Sequence, residues 1–150
     1  MRECVGDEYF MEMALDEAQK AREEQEVPIG AVLVMGDMVI RGHNRVIMDS
    51  DPSAHAEIMV IREAAKKIGN YRLSKAVLYI TLEPCIMCAG AIVHSRIDRL
   101  VFGAFDPRYG AAGSLVDAFD LGLNHTPKVV SGILAGRSSA LLKGFFQKKR

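Results

Sequence analysis

Apolar and polar positions alternate between helical and extended periods along the 150 residues of the chain. Phe10, Ala14, Ala18 and Ala21 recur at helical spacing and predict a first helix over 7–25, closed ahead of Pro28. The runs Ala31-Val32-Leu33-Val34 and Met38-Val39-Ile40 flank Met35-Gly36-Asp37 and read as a β-hairpin with glycine at the turn. Pro52 and Ser53 then lead into a second helix over 54–68, with Ile58, Ile61, Ala65 and Ile68 on one face and Gly69-Asn70 at its end.

The β-branched and apolar stretch 76–82 predicts a third strand, and Pro84 suits the start of a third helix over 85–94. Leu100-Val101-Phe102-Gly103 is a fourth strand, followed by a Gly/Ala-rich loop and a short helix near 115–119. A fifth strand over 129–134 and a last helix over 138–148 complete the order. No repeat or Pro/Gly linker divides the chain, so 1–150 is read as a single domain. Helices between strands, after an opening hairpin, predict an α/β fold: a three-layer α/β/α sandwich on a mixed five-stranded sheet.

Composition narrows the function classes. An apolar content of 49% suffices for one core, and no run approaches the roughly 18 apolar residues of a membrane span. The first residues, Met1-Arg2-Glu3-Cys4, do not open a signal segment, so no membrane partner and a cytoplasmic location are expected. Net charge is zero, yet residues 1–26 hold nine acidic and three basic side chains while 128–150 hold six basic and none acidic. The second stretch would attract phosphate. Three cysteines, two of them in Cys85-Ile86-Met87-Cys88, favour a metal or redox role over a structural disulfide.

The chemistry concentrates at two helix starts, His55-Ala56-Glu57 and Pro84-Cys85-Ile86-Met87-Cys88. Cysteines three apart share one face of a first helical turn, where the helix dipole favours thiolates. His55, Cys85 and Cys88 are therefore candidate ligands of one Zn2+, with a fourth tetrahedral position left open for catalysis. Glu57 lies two residues from His55, and residues two apart diverge on an ideal helix. The conflict disappears if the ion sits off the helix end, with His55 near the cap and Glu57 against the water as a proton carrier. A bare Cys-x-x-Cys also fits a redox pair or half of a structural site, and Cys4 as a fourth ligand would close the centre. His-x-Glu followed by Pro-Cys-x-x-Cys, however, is the signature of zinc deaminases.

Beyond those motifs, the stretches Glu26-Val27-Pro28-Ile29-Gly30-Ala31-Val32, His43-Asn44-Arg45, Asp51-Pro52-Ser53-Ala54, Thr81-Leu82-Glu83, Gly110-Ala111-Ala112-Gly113-Ser114 and Leu123-Asn124-His125 extend the pattern over nearly the whole chain. On these residues the chain resembles the bacterial tRNA-specific adenosine deaminases of the cytidine deaminase-like fold. The resemblance implies hydrolysis of adenosine to inosine at the wobble position of a tRNA anticodon stem-loop, on a base turned out of its loop. Attack falls at C6, with Glu57 relaying protons to N1 and to the departing ammonia. It also implies that Asn44 bonds the adenine, Asp106 holds the target nucleotide, and Asn124, Phe145 and Phe146 contact the RNA loop.

Plainer roles exist for each: Asn44 as a strand-end cap, Asp106-Pro107 as a turn pair, the phenylalanines as core. His94 and His125 read as structural, and Glu83, before Pro84, receives no proton-transfer role. Gln147 stands where relatives carry Arg, which leaves the RNA contact there open. Apolar residues on most sides of the third helix, Ile86, Met87, Ala89, Ala91, Ile92 and Val93, predict a homodimer. A deaminase of free guanine or a cytosine derivative, and a noncatalytic zinc-stabilised RNA-binding module, are the competing functions.

Overall fold

The computed structural model describes the backbone of residues 2–148 and the side chains of 6–148. The elements run α1 (Arg2–Glu23), β1 (Gly30–Met35), β2 (Met38–His43), α2 (Ala56–Ile68), β3 (Val77–Leu82), α3 (Ile86–His94), β4 (Arg99–Ala104), β5 (Lys128–Val130) and α4 (Ala135–Lys148). One five-stranded sheet has the order β2-β1-β3-β4-β5. β1 is antiparallel to β2 and to β3, whereas β3, β4 and β5 are parallel. The mixed sheet expected from the opening hairpin is therefore present.

Two-residue alternation sorts the strands into two cores. Ala31, Leu33, Leu78, Ile80, Leu100 and Phe102 face one side, with Val60 and Ala64 of α2 and Ile92 of α3. Val32, Tyr79 and Val101 face the other, against Met11, Ala14 and Leu15 of α1, and Leu141 of α4 packs at its margin. Strands buried on both faces read as continuous apolar runs, which is how β3 and β4 look in the sequence. Helices on both faces make the three layers.

α1 lies unusually close to β1. A Cβ on Gly30 would overlap the Ala14 carbonyl oxygen and the Ala18 amide nitrogen, so only glycine lets the two backbones approach this far. Asp7 adds a polar anchor, accepting two hydrogen bonds from Arg99 and one from the Tyr79 hydroxyl.

Several element ends differ from expectation. α2 and α3 begin at Ala56 and Ile86, with His55 and Cys85 as their extended N-cap residues. β5 stops at Val130, because Gly132 turns at positive φ and its amide bonds to the Gly103 carbonyl; the chain enters α4 at Ala135, earlier than Ser138. The short helix near 115–119 is a 3-10 turn over Ala118–Asp120, capped by the Asp117 side chain on the Phe119 amide.

The charge asymmetry also changes meaning, since α1 and α4 are neighbours and Arg137 pairs with Glu12. That basic side chain is engaged within the fold. Lys149 and Arg150 of the basic stretch, and the side chain of Cys4, lie outside the described residues. Among the described residues no helix is long and apolar enough to cross a membrane.

Candidate active site

α2 and α3 point their N-termini at one spot beyond the β3 end. His55 Nδ1 lies 3.7 Å from Cys85 Sγ and 3.5 Å from Cys88 Sγ, and the three donor atoms fall within 4.8 Å of one another. Ligands bound at about 2.0–2.3 Å in tetrahedral directions stand roughly 3.4–3.8 Å apart, so the cluster has the dimensions of a zinc site. Helix capping supplies this geometry. His55 (φ −71°, ψ 156°) is still extended while Glu57 has entered the first turn, which is how residues two apart come to face one centre.

The protonation states also suit a cation. A hydrogen bond from the Cys88 thiol, with further support from His55, outweighs burial and lowers Cys85 to about 4. The neighbouring Cys85 thiolate, burial and Glu57 push Cys88 far up, so one thiol stays neutral beside the other's charge. Ionising the second thiol therefore calls for a compensating cation, and a cation would stabilise both thiolates. The His55 imidazole is raised, chiefly by its hydrogen bond with Cys85.

Glu57 is buried, and desolvation lifts its carboxyl to about 7. A carboxyl that exchanges its proton near neutral pH, next to a metal-binding cluster, has the character of a general acid and base. It opens onto a cavity of about 420 Å³ lined also by Asn44, His55, Cys85, Asp106 and Phe146.

Asn44 stands between a helix start and the cavity. Its Oδ1 accepts a hydrogen bond from the Ala56 amide and so caps α2 rather than the strand, while the residue lines the cavity. Asp106 likewise lines the cavity and closes a turn, accepting from the amides of Arg108 and Tyr109.

The remaining expected residues separate. Phe146 is exposed at the cavity, but Phe145, one residue earlier along the helix, is buried on another side. Asn124 is not in the cavity lining and accepts a hydrogen bond from Arg96. His125 bonds the Ile97 carbonyl, the structural role expected of it. The lining also includes Glu83, Phe105, Arg108 and Tyr109, which sequence reasoning did not select. Two aromatic side chains either side of Asp106 in a Gly/Ala-rich loop were the available signal.

A mixed α/β sandwich carrying a His/Cys/Cys centre and a buried carboxyl at paired helix starts is the construction of a zinc-dependent deaminase. Residues 5–104 match the cytidine and deoxycytidylate deaminase zinc-binding region. The tRNA-specific adenosine deaminase of Haemophilus influenzae is 54% identical over 96% of this chain and 85% of its own length. That of Bacillus subtilis is 49% identical over 96% and 91%. A structure solved in a study of A-to-I editing by tRNA:A34 deaminases at the wobble position superposes with a TM-score of 0.85 at 49% identity, covering 89% of this chain and 99% of that one. The guanine deaminase of Nitrosomonas europaea shares the fold, with a TM-score of 0.81 at 24% identity over 92% of this chain and 83% of its own. The chain belongs to the tRNA-specific adenosine deaminases, within the zinc-binding cytidine and deoxycytidylate deaminase family.

Proposed function

We propose that this protein hydrolyses adenosine to inosine and ammonia at the wobble position of a tRNA anticodon stem-loop, with one zinc per chain held by His55, Cys85 and Cys88. The observation that carries the proposal is Glu57: a buried carboxyl, poised near neutral pH, at the base of a cavity beside three convergent metal donors. When bound, the metal supplies the Lewis acid that makes water nucleophilic at neutral pH. Glu57 takes a proton from the attacking water, delivers it to N1 of the ring, and passes the second proton to the departing amine. Atoms balance with one water consumed and one ammonia released.

Asn44 sets the base in register. Because its Oδ1 is held by the Ala56 amide, its NH2 group is left to donate to a ring nitrogen of the base. Asp106 and the exposed Phe146 ring occupy the cavity wall where ribose and neighbouring bases of an extruded nucleotide would lie. Asn124 is exposed outside the cavity, with its Oδ1 on Arg96 and its NH2 group available to the RNA loop, whereas Phe145, buried, acts through the residues it supports.

Ile86 and Met87 at the start of α3 stay 59% and 38% exposed, apolar surface that a second copy would cover in a homodimer. A tRNA substrate supports a cytoplasmic location. The functional reading is tested by assaying inosine, uridine and xanthine formation on tRNAs, cytidine and guanine. Inosine in a tRNA anticodon is expected; product from a free base alone would assign a small-molecule deaminase, and zinc with no turnover an RNA-binding module.

A further inference from the structure

Glu83 is buried, with 3% of its surface exposed, and no cation pairs with it among the described residues. A carboxylate in that position must be held by neutral donors. Four hydrogen bonds do so, and all four come from one stretch of loop. Oε1 accepts from the Asp106 amide at 3.0 Å and from the Ser114 hydroxyl; Oε2 accepts from the amides of Ala112 at 2.9 Å and Ser114 at 3.1 Å.

The loop is fitted to the acid. A Cβ on Gly110 would fall on the Glu83 carboxyl and the Asp106 carbonyl, so the backbone can wrap this closely only with glycine there. The same stretch carries Phe105, Asp106, Arg108 and Tyr109, which form one wall of the cavity. At its other end Glu83 is fixed to the sheet, its amide bonding the Ala104 carbonyl, and it stands two residues ahead of Cys85. The next residue, Pro84, accepts from the Ala111 amide at 2.8 Å.

We infer that Glu83 is a positioning residue: it holds the 105–114 wall in register with the helix start that carries the cysteine ligands, and thereby sets substrate affinity. It moves no proton in the reaction, since both oxygens are occupied by loop donors. The inference rests on the reading that this cavity takes the target base.

The test compares wild type, Glu83→Gln and Ser114→Ala. Glutamine keeps the volume but turns an NH2 group toward loop donors, and Ser114→Ala removes only the hydroxyl bond. In Glu83→Gln the amides of Asp106, Ala112 and Ser114 should exchange with deuterium about tenfold faster, while α2 and β1 are unchanged. Zinc content should stay at that of wild type. KM for an anticodon stem-loop should rise about tenfold with kcat within about twofold, the mark of a lost positioning contact. Ser114→Ala should shift exchange and KM in the same direction by a smaller factor, and decides the matter if Glu83→Gln does not fold. Unchanged loop exchange in a folded variant, or a fall in kcat at constant KM, overturns the inference. Absence of stem-loop turnover by wild type would instead count against the functional reading, and the exchange measurement still decides the role of Glu83.

Discussion

On the proposed mechanism ligation and proton transfer belong to different residues: Glu57 at the second position of α2, and the candidate metal donors His55, Cys85 and Cys88 around it. Glu57→Ala should retain zinc and lower kcat by about 10²–10⁴-fold, the usual worth of a positioned acid and base. Metal analysis beside a deamination assay checks this, and loss of zinc from that variant would contradict it. Cys85→Ala and Cys88→Ala should lose the metal, because two protein donors are too few to hold it. Asn44 separates differently, since one side chain both caps α2 and faces the cavity. Asn44→Ala should cost about 1 kcal/mol of stability together with substrate affinity. Asn44→Asp keeps an acceptor for the Ala56 amide, so its melting temperature should stay near wild type while KM rises. Equal KM for wild type and Asn44→Asp would remove Asn44 from base recognition.

At the scale of elements, α1 is tied to the hairpin by Glu17, which is buried and accepts hydrogen bonds from Lys20, Arg41 and His43. Burial opposes ionisation of Glu17, but the His43 and Lys20 bonds and the charges of Lys20 and Arg41 outweigh it and bring the carboxyl down to about 2. The bond to Glu17, assisted by Glu24, raises His43 above its ordinary value. A lowered carboxyl stabilises the fold above about pH 4.5, its unfolded value, and that contribution fades as pH falls toward 2. A raised imidazole contributes fully below about pH 6.5 and fades as pH rises through the folded value. The cluster should therefore stabilise most between about pH 4.5 and 6.5. Urea titrations of wild type and Glu17→Gln across pH 3–8 check this, and their difference should be largest inside that window. A difference independent of pH would show that Glu17 acts by packing alone.

The elements themselves were readable because their patterns are strong: Ala14, Ala18 and Ala21 are fully buried, as their spacing demanded, and the hairpin pairs Met35 with Met38 across its turn. Ends were less readable. A strand stops where one glycine takes positive φ, and a helix starts where a side chain from elsewhere caps it; Asn44 reaching the Ala56 amide is a contact 12 residues apart. The convergence of His55, Cys85 and Cys88 was legible since residue type and spacing carry that chemistry. The 105–114 wall was not, because its shape comes from Glu83, an acid with no periodicity to mark it, and Phe145 and Phe146 separated only when the helix phase was known.

For the molecule as a whole, the exposed Ile86 and Met87 of α3, with Leu115 and Val116 exposed in the loop ahead of the 3-10 turn, bear on assembly. Light scattering at micromolar concentration should return twice the 16.5 kDa chain mass, and a monomer there would withdraw the dimer. On the proposed function substrate choice is also a property of the whole molecule, because the cavity takes the target base and further binding energy comes from nucleotides outside it. The most direct measurement is kcat/KM for inosine formation on an anticodon stem-loop with adenosine at the wobble position, against free adenosine. The stem-loop should be preferred by at least about 10³-fold, with a preference that falls as salt rises and phosphate contacts weaken. Equal kcat/KM on the two substrates, unaffected by salt, would contradict the account.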